Sequence, residues 1–282
     1  MNVLSLFDGI SAGQLALEKA EIKVSNYYAS EVDKFAIQVT TKNFPNTIQL
    51  GDVTKWRDWN VDLSSIDLVI GGSPCQGFSF AGKQLNFKDE RSKLFFDYVD
   101  ILNHIKSLNP NIKFLLENVR MKQEYQDVIS EYLGVKPIVI NSSLVSAQNR
   151  VRYYWTNIEN IEQPEDKGYI LSDILQNSVD SKYNLTPKGL VYMSALRNGK
   201  PRWEYHTNPL NGKAACLVAI LYKGYPLGVI KEKNRRLSPI ECERLQTFPD
   251  NFTEGVSDTQ RFKALGNGWT VDVITHIFKN LC

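Results

Sequence analysis

Short apolar runs of β-branched character alternate with helical patterns over the first 156 residues, and this alternation predicts an open α/β sheet. Residues 2–7 form a strand, residues 8–13 a small-residue turn, and residues 14–20 a helix. Strands follow at 24–29, 66–70, 114–119 and 137–140, and another begins within 148–155. Gly71-Gly72 ends the 66–70 run, because glycine accepts backbone angles other residues resist. Between these strands, residues 92–108 carry Leu94, Phe95, Tyr98, Ile101, Leu102 and Ile105 at helical spacing. From 157 to 234 the periodicity loosens and Gly, Pro, Asn and Tyr become frequent, which predicts a small lobe that meets substrate through loops. Order returns at Ser238-Pro239-Ile240-Glu241, a capping box with proline at the first helical position. A helix at 260–265 is broken by Gly266-Asn267-Gly268, and Val271, Ile274, Phe278 and Leu281 mark a last amphipathic helix. The expected division is therefore 1–156, 157–234 and 235–282.

Composition narrows the class. An apolar share of 43% supplies a sizeable core, and no run of about 18 apolar residues exists to span a bilayer. The apolar start at Met1 lacks a basic leader and is interrupted by Asp8-Gly9, so a cytoplasmic protein is expected. Four cysteines without Cys-x-x-Cys spacing and three histidines predict neither a zinc site nor a disulfide framework. A net charge of +2 does not announce a polyanion partner, but local basic clusters at 83–93, 197–202 and 231–236 are compatible with one. Each cluster alone is more often merely a solvated face, so they support such a partner only in combination.

The chemistry concentrates at strand ends. Cys75 sits on a turn just beyond the 66–70 strand, stiffened by Pro74, at the edge where open α/β sheets bind ligands. Such a thiol is either a nucleophile or a small buried hydrophobe. Asp8 and Gly9 open the first strand–helix turn, without the Gly-x-Gly-x-x-Gly pattern that cradles phosphate. Glu31 follows the second strand near the offset at which an acid takes a ribose hydroxyl pair, and Asp52 after the third could meet an adenine amine. No lysine accompanies them, so the pocket suits an uncharged adenosine-bearing cofactor. Glu117, at the tail of a buried strand, needs a partner, whether for catalysis or to close the sheet edge by an ion pair. Strand alternation at 148–155 predicts that Arg150 and Arg152 share a face and one target.

Together these segments resemble the cytosine-C5 DNA methyltransferase family along nearly the whole chain. The motifs, in family order, are Phe7-Asp8-Gly9-Ile10, Glu31, Gly51-Asp52-Val53, Gly72-Ser73-Pro74-Cys75-Gln76, Glu117-Asn118-Val119, Gln148-x-Arg150-x-Arg152, the Arg236-Leu237-Ser238-Pro239 helix ending in Phe248-Pro249, and Gly266-Asn267. Ser11-Ala12 and Gly266-Asn267-Gly268-Trp269 depart from the usual bacterial pattern and are similar to the animal de novo branch. The resemblance implies a Rossmann-like, S-adenosylmethionine-dependent fold with a mostly parallel sheet, helices on both faces and a small target-recognition lobe. It implies cofactor contacts from Phe7, Asp8, Gly9, Ile10, Ser11, Ala12, Glu31, Val32, Asp52 and Val53, with Asn267, Gly268 and Trp269 closing the pocket. The implied substrate is double-stranded DNA, held by Gln76, Ser79, Lys83, Arg91, Arg197, Arg202, Lys233 and Arg235. No membrane and no metal are implied, and self-association is not required.

In the implied chemistry Cys75 adds to carbon 6 of cytosine, Glu117 donates at ring N3, and Arg152 with Arg150 stabilises the 2-carbonyl. A stacked base is out of reach, so the cytosine must leave the duplex and the 76–93 loop close over it. Three rivals compete: a tRNA cytosine methyltransferase, a catalytically inactive DNA-binding homologue, and an NAD-type oxidoreductase. The last lacks the phosphate fingerprint.

Overall fold

The structure is a computed structural model that describes residues 1–73, 90–206, 208–224 and 227–281, the side chains of 90–92, 205 and 206 excepted. Its centre is a seven-stranded sheet. In chain order the elements are β1 (Asn2–Leu6), α1 (Ala12–Lys19), β2 (Asn26–Ser30), α2 (Lys34–Asn43), β3 (Ile48–Gln49), β4 (Leu68–Gly71), α3 (Glu90–Leu108), β5 (Lys113–Val119), α4 (Gln123–Leu133), β6 (Ile138–Asn141) and β7 (Val151–Thr156). The strand order is β3-β2-β1-β4-β5-β7-β6. β1 pairs in parallel with β2 and β4, β2 with β3, and β4 with β5, whereas β7 runs antiparallel to β5.

The apolar runs explain this architecture. Val3, Leu4 and Leu6 of β1 and Leu68, Val69 and Ile70 of β4 are fully buried, as expected of strands covered on both faces rather than one. Leu4, Leu6, Val69, Phe114 and Leu116 share one core with Phe95, Tyr98, Ile101 and Leu102 of α3 and with Ile129 and Leu133 of α4. The chain leaves β1 toward β2 and β3 on one side and reaches β4 and β5 on the other. The crevice beyond the carboxyl ends of β1 and β4 is therefore a topological switch point, the place where such sheets bind ligands.

The chain divides into two compact units, residues 1–140 with 151–163 and 274–282, and residues 141–150 with 164–273. The second unit is larger than the expected 157–234 lobe, and of the expected 235–282 return only 274–282 groups with the first unit. It holds α5 (Leu171–Ile174), α6 (Pro187–Ser194), β8 (Leu196–Arg197), β9 (Lys200–Pro201), α7 (Trp203–His206), β10 (Val229–Ile230), β11 (Arg235–Arg236), α8 (Pro239–Leu245) and α9 (Asp258–Asn267), while α10 (Val271–Phe278) runs across the boundary.

Buried polar bonds explain why α8 and α9 belong to this unit. Gln148 donates to the Leu245 carbonyl at 2.6 Å and to Gln246 at 2.8 Å, and Gln246 donates onward to Leu265 at 2.7 Å. In α8 the capping box forms as expected, with Ser238 accepting from the Glu241 amide and Glu241 from the Ser238 amide. Helix α9 runs through Gly266 instead of breaking there. A Cβ at Gly266 would stand 2.3 Å from the backbone of Val218 and Ala219, so this glycine serves close approach and not termination. Among the described residues no helix is long and apolar enough to cross a membrane.

Candidate functional site

The carboxyl ends of β1, β2 and β3 gather one set of candidate residues. Phe7, Gly9 and Ser11 all take left-handed backbone angles, with φ of 59°, 61° and 56°. Such angles are costly for residues other than glycine, and the turn holds them with hydrogen bonds. Asp8 accepts from the hydroxyls of Ser5 at 2.6 Å and Tyr27 at 2.8 Å, and from Ser11. Burial pushes the Asp8 carboxyl above its usual range, an effect the three hydroxyls only partly offset. Ser11, a non-glycine residue at a left-handed angle, donates its hydroxyl to Asp8.

Glu31 ties that turn to the end of β2. One carboxylate oxygen accepts from the Gly9 amide at 2.8 Å, and the other accepts from Val32 at 2.7 Å and Asp33 at 2.8 Å. Space above Gly9 is open, since a Cβ there would meet nothing within 4 Å. Val32 beside it presents an apolar side chain that is 71% exposed. Asp52 is exposed, and its Oδ1 accepts from the Thr54 amide and hydroxyl, both at 2.9 Å. The Thr54 amide bond holds this carboxyl below its usual range. Ser30 donates to the Gly51 carbonyl at 2.7 Å and so fastens the β2 end to the segment carrying Asp52. Ser30 and Thr54 carry no signal in the sequence beyond small polar character, and Tyr27 none beyond its place in a strand.

A second set lies at the ends of β4 and β5. Gly71 is required at the close of β4, where a Cβ would fall 2.9 Å from the Leu6 carbonyl oxygen and 3.0 Å from the Tyr98 ring. Two residues later Ser73 is buried and accepts from the Asn118 amide nitrogen at 3.3 Å. Glu117, 8% exposed, is met by Nε of Arg152 at 2.9 Å. Arg152 also donates from Nη1 to the Val151 carbonyl. Cys75, Gln76, Ser79 and Lys83 lie outside the described residues, as does the side chain of Arg91.

Several expectations are corrected. Arg150 does not share a target with Arg152. The strand starts only at Val151, so alternation does not extend back to residue 150. Its guanidinium is instead buried within the second unit, donating to the carbonyls of Leu217 at 2.9 Å, Gly266 at 3.2 Å and Gly268 at 2.7 Å. Arg235, expected on DNA, is 6% exposed and pairs through both nitrogens with Glu241 at 2.7 and 2.8 Å. Arg202 stacks its guanidinium 4.5 Å over the Tyr192 ring. Arg197 and Lys233 are exposed, and Asn267, Gly268 and Trp269 lie at the end of α9 in the second unit. Among the described residues no cluster of His, Cys, Asp and Glu could hold a metal ion.

The family model described as C-5 cytosine-specific DNA methylase matches residues 1–205 and 146–282. The Type II methyltransferase M1.ScrFI of Lactococcus lactis subsp. cremoris is 33% identical over 99% of this chain and 77% of its own length. M.NlaX of Neisseria lactamica, also named a Type II methyltransferase, is 31% identical over 99% of this chain and 95% of its own. Among solved structures, the Entamoeba histolytica methyltransferase EhMeth superposes with a TM-score of 0.75 at 20% identity, covering 100% and 99% of the two chains.

The position of Arg150 has a measurable consequence. Arg150→Met removes donors from the buried Leu217 and Gly266 carbonyls, while Gly268 keeps Gln246 Nε2 at 3.0 Å; at about 1–3 kcal/mol for each carbonyl left unpaired, a loss of roughly 3 kcal/mol is expected in denaturant unfolding. A residue acting only on substrate would leave that unfolding curve unchanged.

Proposed function

Because the chain belongs to the C-5 cytosine-specific DNA methylase family, we propose that it transfers a methyl group from S-adenosylmethionine to carbon 5 of a cytosine turned out of duplex DNA. The observation that carries this reading is the buried Glu117–Arg152 pair at the carboxyl end of β5, next to the strand that leads into Ser73 and Cys75. The relatives named Type II methyltransferases support restriction–modification as its setting.

The first set of residues fits the cofactor. Open space over Gly9 admits a ligand close to backbone, Glu31 offers a carboxylate to a ribose hydroxyl pair, and exposed Val32 offers an apolar face to a purine. Asp52 keeps Oδ2 for an exocyclic amine while Thr54 holds Oδ1. When bound, the cofactor supplies an electrophilic methyl group on a sulfonium.

Carbon 5 of cytosine is a poor nucleophile until electron density enters the ring. The Cys75 thiolate provides it by bonding to carbon 6. Negative charge then develops toward N3 and the 2-carbonyl. Glu117, after taking up a proton from solvent, donates it toward N3, and Arg152, whose Nε lies 2.9 Å from Glu117 Oε1, places a cation near the carbonyl. After methyl transfer the proton on carbon 5 leaves to solvent and the Cys75–carbon 6 bond breaks, which restores the aromatic ring and the free thiolate. Arg150 takes no part, its guanidinium being bound to carbonyls of the second unit.

Labelled-methyl transfer from S-adenosylmethionine to duplex DNA and to bulk tRNA tests the assignment. Incorporation into DNA is expected, and Cys75→Ala abolishes it while cofactor binding persists. Transfer to tRNA alone, or wild-type turnover by Cys75→Ala, contradicts the proposal. For the cofactor site, Glu31→Ala removes hydrogen bonds to a charged group worth about 1.5–3 kcal/mol, or roughly 10- to 150-fold in Kd. Calorimetry is expected to show that loss for S-adenosylmethionine and little change for DNA.

A further inference from the structure

Resting on the DNA reading above, we propose that the β8–β9 hairpin is the ribbon that enters the major groove and reads bases, with Arg197 and Asn198 making the base contacts and Lys200 a phosphate contact. Asn198 and Gly199 take φ of 52° and 78°, consecutive left-handed residues of the type I′ pattern, which closes a two-residue hairpin whose twist matches its strands. Every residue from Ser194 to Lys200 is exposed. The projection is nevertheless anchored. Met193 and Trp203, just outside its two ends, are buried together with Leu185 and Val229, and Trp203 Nε1 donates to Ser194 Oγ at 3.2 Å.

Arg202 braces the base of the ribbon. Besides stacking on Tyr192, it donates from Nη1 to the Tyr192 carbonyl at 3.4 Å and the Ala195 carbonyl at 3.2 Å. Its backbone amide meets Ala195 as well, at 3.2 Å. Arg202 is therefore a positioning residue.

Three features select base edges in duplex DNA. Arg197 stands directly opposite Lys200 across the hairpin, and Lys200 Nζ lies 3.7 Å from Glu204, so the two cations sit at one end of the ribbon where a phosphate-lined groove attracts them. Side chains flanking the turn are an arginine fork and an amide, which complement guanine O6/N7 and adenine N6/N7, while Leu196, 66% exposed, suits a thymine methyl group. A two-stranded ribbon fits the major groove of B-form DNA, whereas the major groove of A-form RNA is too narrow and deep for side chains to read.

The test uses the full chain in cells that contain no other cytosine methylation, followed by sequencing of methylated sites. Wild type is expected to yield a defined motif. Arg197→Ala relaxes it at a guanine, and Asn198→Gly, which preserves the left-handed turn, relaxes an adjacent position. With purified proteins and one-base-changed duplexes, discrimination at the affected position falls by about 5- to 150-fold, the worth of one bidentate contact, at unchanged melting temperature. Arg202→Ala lowers turnover on every sequence without altering the motif. Motifs and discrimination equal to wild type in both tip variants overturn the proposal, as does a uniform loss on all sequences in Arg197→Ala, which marks a phosphate contact. Absence of methylation by the wild type overturns the methyltransferase reading and the hairpin's role with it.

Discussion

The ion pair between Glu117 and Arg152 is the constraint on which the proposed active site depends. A buried carboxylate or a buried guanidinium alone is expensive, so each fixes the other. Their meeting is a product of topology. In a sheet where β1 to β5 pair in parallel, β7 runs against β5, so its first residues lie beside the last residues of β5, with Arg152 opposite Val119 and Tyr154 opposite Glu117. A parallel β7 would carry Arg152 to the other edge of the sheet. Such a pair contributes little net stability, and its effect is to hold a carboxyl and a cation together at one edge of the sheet.

The turn after β1 obeys a related logic. Phe7 and Ser11 hold left-handed angles that cost on the order of 1–3 kcal/mol each. Asp8 sustains them while itself being buried, its carboxyl pushed up by loss of water. None of this favours folding by itself. Its effect is a stretch of backbone open at Gly9, with Glu31 bonded to it and exposed Val32 following.

Much of this was legible in the chain. Apolar runs ending in glycine or an acid gave strands with functional groups at their carboxyl ends, because a parallel strand must be apolar throughout and then turn. Glu117 needed a partner on energetic grounds, and Arg152 supplies it. What could not be read was which side chains the protein keeps for itself. Arg150 sits two residues from Arg152, and only the onset of β7 at Val151 separates the proposed catalytic face from a buried clamp on Leu217, Gly266 and Gly268. Arg235 lies in a basic run that suggests a solvated surface, yet Glu241 of the capping box draws it inside. Gly266 looked like a helix stop and is a contact point inside α9. In each case a long-range backbone or carboxylate partner decides, and local pattern carries no information about it.

A double-mutant cycle on single-turnover methyl transfer to duplex DNA, with Glu117→Gln, Arg152→Met and the two combined, tests most directly whether this pair acts as one device. Groups that function as a unit are strongly non-additive. The combined variant is expected to be no slower than the worse single variant by more than a few fold. Rate losses that multiply, each substitution acting as though the other were absent, would contradict the coupling on which the proposed site is built.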